Sequence, residues 1–390
     1  MNYNIIIIGS GPVGLSLAKA LSSLDLTICI IDQQTETLLS SPVDDGREVA
    51  ITHLSKKIMT ELGSWELIPS ESISLIKEAK VLNGLSPYSL HFSHQETDQV
   101  TLGHLIPNRL IKEAAYKAIQ NLKNVDCITE TRVKEFSIND TGTRVTLDSD
   151  EIISAEMIVA ADGRLSGSRR QMGIPSEVKD FGKTVIVCKM KHENPHNNTA
   201  YECFHYGRTL AILPMAGNYC SVVITISSDK ATEIMKMTDE DFNQDIQNRF
   251  NNRLGEMTVR GEKFSYPLYA SHADYFHSER FVLVGDAAVG MHPVTAHGFN
   301  LGLRGSYNLA NIIRTARDND RSYYSSDVLK EYNQKHQLIT RPLYYGTNVL
   351  VDLYNSERVT AKLLRRLALR FGNNFWPVKK LIMDQLTETH

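Results

Sequence analysis

No segment of this 390-residue chain is apolar over the ~20 residues that a membrane-crossing helix needs, which sets aside a helical membrane protein. A block of single-sign charge is missing too. The 42 lysines and arginines stand against 45 aspartates and glutamates, a formal net charge of −3. Without a basic arm or stripe, nucleic acid is not an expected partner. Cysteine is scarce, with five residues and no Cys-x-x-Cys pair. Several of the five sit in strand-like runs, so buried thiols in a reducing compartment are expected, with no disulfide and no metal site. No internal repeat or low-complexity segment is visible. A strand-like run begins within a few residues of Met1, leaving no room for a signal peptide, and the expected location is cytoplasmic. What remains is a chain too long for one core, with apolar content enough for two domains.

Glycine is concentrated where it carries meaning. Directly after the apolar run at 5–8 comes Gly9-Ser10-Gly11-Pro12-Val13-Gly14. Gly9 permits a tight turn off a strand, Gly11 lets the backbone approach a pyrophosphate, and Gly14 allows the following helix to pack closely on the strand. The phosphates then meet unpaired N–H groups and the positive end of a helix dipole. Asp32 follows a second apolar run at 27–31, at the expected distance for a carboxylate that binds ribose hydroxyls; its charge repels a 2′-phosphate. In the last third of the chain a second strand-turn-helix signal appears: Gly285-Asp286-Ala287-Ala288 after the run at 281–284, then His292-Pro293 and Gly298-Phe299-Asn300-Leu301-Gly302. One glycine turn fits any dinucleotide. Two, at opposite ends of the chain, fit the length of FAD.

Between them the chain reads as interleaved. Apolar positions 110, 111, 114, 115, 118, 119 and 122 recur at helical spacing over 107–122, a small antiparallel meander is expected over 131–153, and 183–269 reads as a sheet with one helical insert near 239–250. The chain therefore leaves a cofactor domain, builds a second lobe and returns. We expect an α/β fold: a Rossmann-like FAD-binding domain (1–78, 98–178 and 275–320) interleaved with a mainly antiparallel β-sheet substrate domain (79–97 and 179–274), and a helical C-terminal region (321–390).

Five ordered blocks carry a resemblance. They are the first glycine turn with Asp32; Asp45-Gly46-Arg47-Glu48-Val49-Ala50; Pro107-Asn108-Arg109-Leu110; Ala161-Asp162-Gly163-x-x-Ser166-x-x-Arg169; and the second glycine block. The chain resembles the p-hydroxybenzoate-hydroxylase-like FAD monooxygenases over nearly its whole length, and within them the ring hydroxylases of ubiquinone biosynthesis. It departs from their pattern at Ala296-His297-Gly298 and at Gly305, where an acidic residue is usual. The resemblance implies FAD as cofactor, NADH or NADPH as electron donor, dioxygen as cosubstrate, and ring hydroxylation through a flavin C4a-hydroperoxide, with a demethoxyubiquinol-type quinol as the nearest substrate. It implies cofactor contacts from Gly9, Gly11, Pro12, Gly14, Asp32, Arg47, Arg109, Asp162, Asp286, Pro293, Gly298, Phe299 and Asn300. Arg47 would reach the phosphate and ribityl region, and Asp286 the ribityl hydroxyls. The helix starting at Gly298 would aim its N–H groups at the anionic end of the reduced ring. Arg47 as a surface ion pair, and Asp286 and Asp162 as turn or helix caps, stay open as alternatives.

His292 and His297 flank Pro293 in the loop expected beside the flavin, and a histidine there suits removal of a phenolic proton because its pKa sits near operating pH; a packing or hydrogen-bonding role is the alternative. Phe204, Tyr206, Leu213 and Pro214 fall on the sheet implied to lie over the flavin and are the expected substrate contacts. His91 and His94, three apart in a strand-like segment, are expected on opposite faces. From 356 to 390, seven basic residues (Arg358, Lys362, Arg365, Arg366, Arg370, Lys379, Lys380) oppose three acidic ones, with apolar residues at helical spacing. Such a helix suits an anionic membrane surface, where a polyprenylated phenol or quinol resides, a partner in a ubiquinone-synthesis complex, or its own protein. Other readings of the whole are a hydroxylase of a small aromatic acid, an FAD epoxidase, or an inactive flavin-bearing accessory subunit.

Overall fold

A computed structural model describes residues 2–84, 89–205, 207–292, 297–355 and 376–388. Its first layer is built on five parallel strands in the order Phe281–Leu283, Ile152–Ala160, Asn2–Ile8, Ile28–Ile31 and Val125–Ile128. The strands buried on both faces read as the continuous apolar runs that a parallel sheet requires: Ile5, Ile6, Ile7, Ile28, Cys29, Ile30, Met157, Ile158 and Val159 are at most 1% exposed. From Asn2–Ile8 the chain proceeds to Ile28–Ile31 on one side, while Ile152–Ala160 returns to the other. The crevice at that reversal of direction, beyond the carboxyl ends of the strands, is where open α/β sheets bind ligands.

The meander expected over 131–153 ends differently from its reading. Its third strand and the run at 157–160 are one strand, Ile152–Ala160, which pairs antiparallel with Gly142–Leu147 at its start and parallel with Asn2–Ile8 beyond. One strand thus joins the hairpin to the cofactor sheet, because nothing between 153 and 157 breaks the extended backbone.

The second large sheet has the order Val289–Gly290, Met257–Ala273, Ser176–His192, Tyr219–Ser227, Arg208–Met215, Thr199–His205, Glu78–Asn83, Ser89–Ser93. All its pairs are antiparallel except Thr199–His205 with Glu78–Asn83. Helices Ser228–Lys236 and Asp239–Arg249 cover one face; the first of them escaped the sequence reading. A three-stranded sheet, Glu48–Ile51, Gly103–Pro107 and Ser74–Ile76, lies between the lobes. Helix His297–Asp318 packs on helix Pro12–Leu21, and the 30-residue helix Ser326–Asn355 follows it. No helix among the described residues is long and apolar enough to cross a membrane.

Candidate active site

The first glycine turn is closed at two positions and open at one. Gly9 has φ +107°, and a Cβ there would lie 2.6 Å from the Ala161 carbonyl oxygen; a Cβ on Gly14 would lie 2.2 Å from the Gly9 carbonyl oxygen. Only glycine lets these three backbones meet. At Gly11 a Cβ would meet nothing within 4 Å, so the approach to the N-terminus of helix Pro12–Leu21 is free. Gly9, Gly11, Asp32 and Asp162 line a cavity of about 640 Å³ there. The Asp32 carboxylate is fixed at its wall by the N–H groups of Ser10, at 2.6 Å, and Gln34, at 2.8 Å. An open anion cradle, a helix N-terminus and an oriented carboxylate one strand away are the fittings for the pyrophosphate and ribose of FAD.

The distant second motif arrives at the same place. A Cβ on Gly285 would touch Val13 at 3.2 Å, and one on Gly302 would touch it at 2.9 Å, so Val13 of the first motif is held between two glycines of the second. Arg169, 3% exposed, donates to the carbonyl of Ala287 at 3.2 Å and to that of Arg164 at 3.3 Å, tying the block around Asp162 to the turn Gly285–Ala287. Asp162 accepts from the Ser168 N–H at 3.0 Å, while its other oxygen is buried without a partner among the described residues. Asp286 pairs with Arg164 at 3.1 Å. Arg164 was not singled out in the sequence. Its neighbourhood of Asp162 and Gly163 was the available signal, and the glycine at 290 makes room for it, since a Cβ there would lie 2.5 Å from Arg164 Nε.

Arg47 is in an ion pair with Asp45 at 2.6 Å and lies over the Tyr266 ring at 5.2 Å, in the seam between the lobes. Asp45 also accepts from Asn108 Nδ2 at 2.7 Å. Burial works against its charge, but the hydrogen bond and charge of Arg47 hold its carboxyl below the ordinary value. Arg109 sits in the first turn of helix Asn108–Lys117, half-buried. Gly298 again has open space where a Cβ would be, Phe299 packs on the core of the first lobe, and Asn300, 1% exposed, clamps the end of strand Glu48–Ile51. Its Oδ1 accepts from the Thr52 N–H at 3.1 Å and its Nδ2 donates to the Ala50 carbonyl at 2.8 Å. Pro12 opens helix Pro12–Leu21; Pro293 and Tyr206 lie outside the described residues.

Three expectations need correction. The first concerns His292, which is buried edge-on against Phe181 with ring centroids 4.9 Å apart. Burial, then the charges of Arg164 and Lys179, push it down to about 4, so it is a neutral, weakly basic ring at neutral pH rather than a group poised near half-protonation. His297 begins helix His297–Asp318 and is 8% exposed. Next, Leu213 and Pro214 do not share a pocket. On strand Arg208–Met215 burial alternates residue by residue; Pro214 pairs with Cys220, of the helix-covered face, whereas Leu213 packs with Phe204 on the face toward the cofactor lobe. Pro214 therefore points away from the face that Leu213 and Phe204 share. Last, His91 and His94 turn to one carboxylate. The strand ends at Ser93 and His94 starts a 3₁₀ turn, placing His91 Nε2 2.5 Å and His94 Nδ1 3.5 Å from the two oxygens of Glu78.

Two carboxyl groups missed in the sequence face the space between the lobes. Glu48 is raised to about 8 by burial and the nearby charge of Asp44, and Glu202 to about 7 by burial alone. The alternation Ala200-x-Glu202-x-Phe204 was the readable sign of the second, a charge set into an apolar strand face.

These features define an FAD-binding protein of the monooxygenase fold: the FAD binding domain family matches residues 2–343, and the chain belongs to it. Among its relatives it is 44% identical to the ubiquinone hydroxylase UbiM of Neisseria meningitidis, over 99% of this chain and 85% of that one. It is 31% identical to the ubiquinone hydroxylase UbiL of Rhodospirillum rubrum, over 97% and 88%. In fold it is similar to PqsL of Pseudomonas aeruginosa in complex with 2-aminobenzoylacetate, with a TM-score of 0.80 over 94% of this chain and all of that one at 16% identity.

Proposed function

We propose that this chain is an FAD-dependent monooxygenase that hydroxylates the aromatic ring of a prenylated phenol or quinol in ubiquinone biosynthesis, with NADH or NADPH as donor and dioxygen as cosubstrate. The observation that carries the reading is the meeting of the two glycine motifs around Val13, beneath a sheet face whose lining is apolar. Gly9, Gly11, Asp32 and Asp162 hold the adenosine and phosphate half of FAD. Asp286 and the first turn of helix His297–Asp318, with Gly298, serve the other half, with Arg47 and Arg109 at the seam. Bound there, the cofactor supplies the oxidising power toward oxygen and ring. The chain's own residues orient the ring against Phe204 and Leu213 and exclude water. Such a division assigns the parallel-sheet lobe to the cofactor and the large sheet to the substrate.

The C-terminal helix Trp376–Thr387 closes the prenyl-binding side. Met383 is 1% exposed in the cluster of Phe204 and Leu213; Lys379 pairs with Glu96 at 2.7 Å, and Glu388 with Arg304 at 2.6 Å. Lys379 is thereby committed to its own protein, which removes it from the basic face read in the sequence. The remaining basic stretch, 358–370, lies outside the described residues; we assign it to contact with an anionic membrane surface.

The test is reconstitution of the purified protein with FAD, followed by NADH and NADPH oxidation with and without a demethoxyubiquinol of short prenyl chain. Gain of one oxygen by the quinol supports the reading. A protein that stays colourless, or one that oxidises only small aromatic acids, overturns it.

A further inference from the structure

Glu202 is a charge set into an apolar strand face. Strand Thr199–His205 alternates, so Ala200, Glu202 and Phe204 share the face toward the cofactor lobe, and the cross-strand partners of Glu202 are Val81 and Ala211. Neither neighbouring strand supplies a charge there. Glu78, Lys80 and Arg208 have the parity of Leu82 and Leu210, which face the covering helices. Glu202 takes part in no hydrogen bond or ion pair among the described residues, although the residue is only partly exposed. From the opposite side Ala50 packs into the same apolar cluster, with Glu48 two residues before it; Met383 brings in helix Trp376–Thr387, which carries Lys379, paired with Glu96, and the exposed Lys380 and Asp384; Lys189 lies on the same sheet face three strands away.

A carboxyl placed on an apolar wall without a partner is costly unless it meets a ligand. Its face is the one that Phe204 and Leu213 present to the ring. We propose that Glu202 is the general base that accepts the proton of the ring hydroxyl of the bound phenol or quinol; the proposal rests on the functional reading above. The O–H bond of the substrate breaks, its proton passes to a Glu202 carboxylate oxygen, and the electron pair stays on the substrate oxygen, enriching the ring carbons ortho and para to it. Nothing is oxidised or reduced in this step, and the proton leaves to water with product. Burial raises Glu202 to about 7, where a base both exists in its ionised form and takes a proton effectively, while His292, held near 4, is too weak for the task.

Glu202→Gln, Glu202→Asp and Glu48→Gln separate the roles. The first is expected to lower kcat for quinol hydroxylation by about 100-fold with KM little changed, and to abolish the acid limb of the pH profile. The aspartate variant should retain that limb at an intermediate rate. Independently of turnover, infrared titration of the substrate-free protein should show a carboxylic C=O band with a midpoint of about 7 that Glu202→Gln removes and Glu48→Gln leaves in place. An active wild type whose Glu202→Gln variant keeps its rate and its acid limb overturns the base role alone. A missing infrared band also overturns it. A wild type that hydroxylates no prenylated quinol overturns the functional reading and this role together.

Discussion

The two faces of the large sheet are made from the same strands and do opposite things. Toward helices Ser228–Lys236 and Asp239–Arg249, Leu210, Ile212, Cys220, Val222 and Ile224 are all 0% exposed. Toward the cofactor lobe, the alternate residues Ala211, Leu213 and Val223 remain half-exposed even though a lobe lies over them. A face filled to crystal-like density stabilises the fold; a face left short of contacts keeps room for a guest. The same contrast recurs in the glycine turn, closed at Gly14 and open at Gly11.

The largest effect should come from the closed face. Ile224→Ala removes a fully buried side chain and leaves a cavity, at a cost of about 2–5 kcal/mol. A shift of the urea midpoint measures it, with FAD binding retained in the folded fraction. A loss below ~1 kcal/mol would show that the helix-covered face is not filled as described. At the open position of the turn the outcome reverses. Gly11→Ala places its Cβ in free space, so the FAD-free protein should melt as wild type does, while FAD affinity falls by about 100-fold, near 2.7 kcal/mol, because the pyrophosphate loses its approach. Equilibrium dialysis with FAD and melting of the apoprotein separate the two; a melting loss as large as the binding loss would mean that Gly11 is a packing glycine like Gly14.

Much of the closed architecture was legible because local spacing dictates it. Gly14 requires glycine because of the Gly9 carbonyl five residues before it, the turn at Gly9 shows in its spacing although the Ala161 carbonyl that also closes it comes from far along the chain, and Asp32 follows from the reach of one βαβ unit. The open site was legible only in part. Alternation shows that Leu213 and Pro214 point opposite ways, but which way faces the guest depends on the helices that arrive later in the chain. The pKa of His292 is set by Phe181, Arg164 and Lys179, none of them near in sequence. Gly305 read as a departure from the family pattern, and only the fold supplies its reason: a Cβ there would lie 2.6 Å from the ring of His336, so an acidic side chain and this histidine exclude each other.

His336 also tests the comparison through pH. It is 1% exposed, stacked on Tyr332 at 5.5 Å, and burial, followed by the charges of Arg304 and His272, pushes it down to about 3. Between the unfolded value of ~6.5 and that value the unfolded chain binds a proton that the folded one refuses, so stability is lost as pH falls, by ~1.4 kcal/mol per unit for one such group. Glu202 and Glu48 carry the opposite sign: raised carboxyls keep a proton in the fold that the unfolded chain has released, so their contribution is lost as pH rises from about 4.5 toward 7 and 8. His336→Phe should flatten the fall in melting temperature below pH 6.5 and leave the alkaline side unchanged. A variant whose acid slope equals that of wild type would place the histidine in a wetter setting than the closed stack described.

The smallest effect on function, with little on stability, should come from Leu213→Ala. Leu213 is half-buried beside the cluster of Phe204 and Met383, so truncation removes less buried contact than at the fully buried Ile224. A cost below ~1 kcal/mol in stability is expected, well under that of Ile224→Ala on the neighbouring strand and the sealed side. In the proposed site this side chain would meet the ring and the start of the prenyl chain, so KM for a prenylated quinol should rise about tenfold, the value of one to two lost methyl contacts in an apolar pocket. FAD content should stay that of wild type. Steady-state kinetics with quinols of increasing prenyl length read the effect directly, since a wall residue penalises every length that reaches it. If Leu213→Ala instead destabilises as much as Ile224→Ala and leaves KM alone, both faces of the sheet are core, and the substrate must be sought elsewhere.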